Sequence, residues 1–167
     1  MPKNKEMTMD INSIHNVLII LHAAAATICF FAGCLLVFAS AQTSNQDLFG
    51  LYWWSLIGMV ILLLGAIIVH WTTFSTIEHV VFPGLLILAI YMVFRARSAN
   101  SLLRTQKNDW KHDYIKHIGF VLISLFEGFI IVSGLNSGFG WLVAVFAILG
   151  FLVGNWLIGF AQRRVAT

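Results

Sequence analysis

From Val17 to Ala39 the chain contains no Asp, Glu, Lys or Arg, and the same holds for 51–71, 79–94 and 139–161. Between Ile115 and Leu135 only Lys116 and Glu127 interrupt the pattern. A helix rising 1.5 Å per residue crosses about 30 Å of hydrocarbon with about 20 mostly apolar residues. Runs of that length leave few alternatives to a membrane as solvent, where backbone polar groups are satisfied inside helices. The spacing predicts an all-α integral membrane bundle of five transmembrane helices, at 17–39, 51–71, 79–94, 115–135 and 139–161. They form a single transmembrane domain over 1–167, packed up and down because most connections are short. The third span is the shortest, and its polar ends would sit in the interface.

Composition agrees. Of 167 residues, 59% are hydrophobic and 10% charged, whereas soluble domains carry about a quarter charged residues. The first apolar run starts only at Val17 and is too long for a signal-peptide core, so it is expected to be a span rather than a cleaved leader.

Eight of the ten basic residues fall on one side of five alternating spans. Arg95, Arg97, Arg104, Lys107, Lys111 and Lys116 surround the segment 95–114, and Arg163 and Arg164 follow the last span. Only Lys3 and Lys5 lie opposite. The positive-inside rule places 95–114 and the C-terminus in the cytoplasm and the N-terminus outside. The expected location is the cell membrane, as a multi-pass protein. The net charge of +3 is explained by orientation and by anionic lipid beside 95–114, so nucleic acid is not an expected partner.

Cys29 and Cys34, five residues apart in the first span, point about 140° apart on a helix and cannot bridge each other. Tyr52, Trp53 and Trp54 fit an interfacial belt. Asn136 to Gly140 reads as an outer turn. Gly150 and Gly154 form a small-xxx-small pair that permits close helix contact, and Asn155 offers an interhelical hydrogen bond.

Ionisable groups inside spans are the candidates for chemistry, because each is costly there and needs a partner. His22 lies about 7 Å and Glu127 about 12 Å below the outer edge of their spans, at 1.5 Å per residue. His70 and His79 flank the short outer turn HWTTFSTIEHVVFPG, and Ser75 with Glu78 fits a capping box for the third helix. Pro83 loosens that helix locally. His22, His70, His79 and Glu127 thus come from four helices and share the outer half.

Two ligand chemistries fit this set. In a b-type heme site His22 pairs with His70 or His79, and Ala23 to Ala26 leave room for the porphyrin. In a non-heme site the three imidazoles and Glu127 suit a transition metal. His15, seven residues before His22, shares its face and marks an access route. No H-x-x-x-H or H-E-x-x-H spacing enforces either site, and a cofactor-free arrangement stands equally beside them. His112 and His117 belong to the cytoplasmic side.

Three function classes follow. The first is a small membrane protein holding heme b or a metal near its outer face, for electron transfer or metal handling. The second is a cofactor-free accessory or structural subunit of a larger membrane complex. The third is a small oligomeric transporter coupled to protons or ions through Glu127, although no broken-helix pair recurs in two halves.

Overall fold

The structure is a computed structural model, and it describes residues 11–39, 46–106, 110–137, 148–150, 152–154, 156, 158–160 and 163. Four long helices dominate: α1 (Ile11–Ala39), α2 (Gln46–His70), α3 (Glu78–Thr105) and α4 (Trp110–Ser137). A single 3₁₀ turn, Trp71–Thr73, joins α2 to the approach to α3. There is no strand among the described residues. Four segments are long and apolar enough to cross a membrane: Ser13–Phe38, Gln46–Thr73, Glu78–Thr105 and Trp110–Gly134. The described residues of a shorter apolar helix, Ile148–Phe160, form α5.

The helices pack in a ring, each against its sequence neighbours, with α4 closing onto α1. The seams explain why these sequences become bundled helices. Buried residues of α2 fall at Phe49, Tyr52, Leu56, Met59 and Leu63, and then at both Ala66 and Ile67, three and four residues on. Those of α3 fall at Ala89, Met92, Ala96, Ala99 and Leu103. Steps of three and four place each set on one stripe, the pattern that meshes neighbouring helices at shallow angles. Alanine on the α3 seam lets backbones approach where lipid supplies no hydrophobic drive. Gly33 serves the same end on α1, since a Cβ there would stand 2.8 Å from Leu122 Cδ2 of α4 and 3.3 Å from Tyr52.

Several expectations change here. The segment 95–114, expected to connect the third and fourth spans as a cytoplasmic loop, is largely a continuation of the two helices: α3 runs on to Thr105, through Pro83, and α4 begins at Trp110. The reason is the seam, because Ala96, Ala99 and Leu103 continue its spacing past the last long apolar stretch and are buried. At 28 residues, α3 is about 42 Å long and overshoots the hydrocarbon. Tyr52 is not part of an interfacial belt. It is fully buried, packed 5.7 Å from the Phe49 ring, whereas Trp54 is exposed. The Gly150/Gly154 pair does seat α5 closely on α4, because Cβ atoms there would meet Phe126 and Ile123 respectively. Cys29 and Cys34 are both free thiols.

Residues 1–10 and 40–45, Lys107, residues 138–140 of the segment expected to turn, Asn155 and Arg164 lie outside the described residues.

Candidate functional site

The end of the α1–α2 seam nearest the Trp71–Thr73 turn is built from imidazoles. On α1, His15, His22, Cys29 and Leu36 recur every seven residues, and the lower two are buried core residues. On α2, His70 follows Ala66 by four and extends that seam. Histidine therefore occupies positions that are apolar at the other end of the same two helices.

Each imidazole has a structural engagement. The Nδ1–H of His22 donates to the Met59 carbonyl at 2.9 Å, and that of His15 to the Ala66 carbonyl at 3.3 Å. A carbonyl accepts only, so both rings carry the proton on Nδ1 and keep Nε2 as an open acceptor. These two bonds fix an antiparallel register and tie α1 to α2 as interhelical polar contacts do in membranes. The His15 ring stacks on His70 with centroids 4.1 Å apart and planes 24° from parallel. His70 also meets Phe74 edge-on at 5.7 Å, and its Nδ1 is buried with no hydrogen-bond partner among the described residues.

The turn between α2 and α3 is a capped helix start. The Ser75 amide donates to Glu78 Oε2 at 2.7 Å, and the Glu78 amide donates to Ser75 Oγ at 3.4 Å. The His79 amide then donates to the Ser75 carbonyl, the first helical bond of α3. This reciprocal pairing is the capping box expected from S-T-I-E. The His79 Nδ1–H bonds the same Ser75 carbonyl at 2.9 Å, and the ring lies edge-on to Trp71 and Phe74.

The four candidate residues do not converge. His22 sits at the level of Met59, eleven residues from His70 along α2, or about 16 Å at 1.5 Å per residue. Metal–imidazole bonds are about 2 Å long, so this packing does not offer His22 and His70 to one ion. Ala25 and Ala26, expected to make room for a porphyrin, pack against the bundle core, while Ala23 and Ala24 face outward. Glu127 lies on α4 beside α5, where a Cβ on Gly150 would stand 3.9 Å from its Cγ. No group of three or more His, Cys, Asp or Glu is placed to hold a metal among the described residues.

Glu127 differs from His15, His22 and His79, each of which is held by a backbone carbonyl. Its Oε1 is buried and has no hydrogen-bond partner among the described residues. A second polar pair, unforeseen from the sequence, lies between α3 and α4 at the opposite end. Arg95 places its guanidinium 5.1 Å from the Phe120 ring centroid, and both its Nε and the Nδ1 of His117 are buried without a hydrogen-bond partner among the described residues. The basic run beside Arg95 disguised it as one more flanking charge. Only the continuation of α3 reveals its place against α4.

No protein-family model, curated protein or solved structure matches the chain.

Proposed function

We propose that this chain is a five-span protein of the cell membrane, with its N-terminus outside, that couples protons or small cations to a transport step through Glu127. Four membrane-length helices and the apolar α5 support the span count. The side-bias of the basic residues supports the orientation. The observation that carries the functional reading is the Glu127 carboxyl, inside α4 with Oε1 buried and unpartnered among the described residues. An ionisable group at that depth is a site for a proton or a cation before it is anything else. By contrast His15, His22 and His79 are each engaged by a backbone carbonyl. They act first as fasteners.

The test is ion flux into liposomes containing the purified chain, driven by a pH or cation gradient. Glu127→Gln keeps the size of the side chain and is expected to abolish the flux, while His79→Ala leaves it intact. Equal flux in wild type and Glu127→Gln would remove Glu127 from the transport step, and no flux in wild type would leave the accessory-subunit reading in its place.

A second reading keeps heme b or a transition metal near the outer face, for electron transfer or metal handling. Its support is the set of open Nε2 edges on His22 and His15, since ligating histidines commonly anchor the other ring nitrogen on a carbonyl. His70 and His79 would be further donors in that reading. A reduced-minus-oxidised absorption spectrum with elemental analysis on the same sample separates the two. A b-type band or stoichiometric metal, lost in His22→Ala, favours this second reading.

A further inference from the structure

At the end of the bundle remote from His15, His22 and His70, the first turns of α2 and the last turns of α3 line an open cavity of about 520 Å³. That lies within the range of small-ligand sites. Its floor is apolar, formed by Phe49 and Leu103, which are 5% and 4% exposed, with Trp53 beside them. Its rim is polar: Gln46 and Asn100 supply amides, and Arg104 supplies a guanidinium. Gly50 lines it as well, and a Cβ built on Gly50 meets nothing within 4 Å, so the space in front of it is open. Asp47, on the same first turn of α2, is exposed and does not line the cavity.

The position of the cavity matters as much as its lining. Because α3 is longer than the hydrocarbon is thick, Asn100 and Arg104 lie where the helix emerges among headgroups. Arg97, Lys111 and Lys116 give the same end an excess of positive charge. We infer that this cavity is a binding site for the headgroup of an anionic phospholipid, with the phosphodiester on Arg104 and the glycerol and upper acyl carbons over Phe49, Trp53 and Leu103. The guanidinium offers a planar fork of donors suited to phosphate oxygens. The amides of Gln46 and Asn100 add donors at the rim. A soluble phosphate would have no use for an apolar aromatic floor, which is why the lipid is favoured over a free anion.

The experiment uses the full chain, reconstituted in phosphatidylcholine vesicles with and without phosphatidylglycerol, then extracted into mild detergent, washed and assayed for retained lipid. Wild type is expected to retain phosphatidylglycerol stoichiometrically. Arg104→Gln should weaken retention about fivefold, the effect of one basic residue at an anionic surface. Arg97→Gln, exposed and outside the cavity, should leave it unchanged. Gly50→Leu projects into the open space and should abolish retention. If Gly50→Leu does not fold, as judged by circular dichroism, Asn100→Trp obstructs the same cavity. Equal losses from Arg97→Gln and Arg104→Gln would reduce the effect to diffuse surface charge and overturn the site. So would full retention in a folded cavity-filling variant. Displacement of the lipid by inorganic phosphate at comparable concentration would assign the site to a soluble anion instead.

Discussion

At the basic end of the bundle, Tyr52, Leu56, Ile115 and Ile118 have no exposed surface, and the α2 and α3 seams mesh in unbroken steps of three and four. At the other end the same α1–α2 seam carries His15, His22 and His70, all of them half-buried, held by hydrogen bonds and ring stacking. Along the α1–α2 seam, one end is thus defined by apolar packing and the other by polar contacts. In lipid the two solutions have different consequences. Packing between apolar faces is set by shape, whereas the imidazoles of His15 and His22 are tied to the partner helix by hydrogen bonds to its backbone carbonyls.

The contrast is sharpest for truncations of the packed end. Leu56→Ala and Ile118→Ala should each cost about 2–5 kcal/mol, as large-to-small changes in a close-packed core do. Ile20→Ala, exposed at the opposite end, should stay within about 0.5 kcal/mol. Denaturant unfolding in detergent reads both, and equal losses would erase the distinction. Next in size is Gly154→Val, which forces a side chain into the space of Ile123 and should cost about 1–3 kcal/mol by overpacking. An unchanged midpoint would mean that α5 is not seated on α4 as described. His22→Leu should cost about 0.6–2 kcal/mol, the range of interhelical hydrogen bonds in membranes, and His15→Leu less because its bond is longer. Tyr52→Phe should have the smallest effect. The Tyr52 hydroxyl is buried without a hydrogen-bond partner among the described residues, so deleting it should be near neutral or stabilising. A large loss there would reveal a partner for that hydroxyl.

Much of this was legible in the sequence, and the reasons differ by feature. Long uncharged runs specify helices in a membrane almost irrespective of detail, which is why four of the predicted spans reappear as long helices. The capping box at Ser75 and Glu78 was legible because it is local: both partners lie within one turn. The seven-residue interval from His15 to His22 correctly put both on one face. What that face meets depends on α2, and nothing in α1 specifies the register that brings His22 to Met59 and His15 to His70. Equal depth in the membrane was therefore a poor guide to contact. It grouped His22 and Glu127, which the structure places against α2 and beside α5 respectively. The end of the third helix was obscured for another reason. Charges at 95, 97 and 104 mark where lipid ends, but the alanines at 96 and 99 keep the helix packed beyond it.

Glu127 is the point on which the functional account rests. Infrared difference spectroscopy of the reconstituted protein, stepped through pH, reports the carboxylic C=O stretch of a membrane-embedded glutamic acid directly. The account predicts a band in that region that rises and falls with pH and vanishes in Glu127→Gln. A carboxyl signal that is the same in wild type and Glu127→Gln would contradict it, and would return Glu127 to the same structural status as the histidines that fasten α1 to α2.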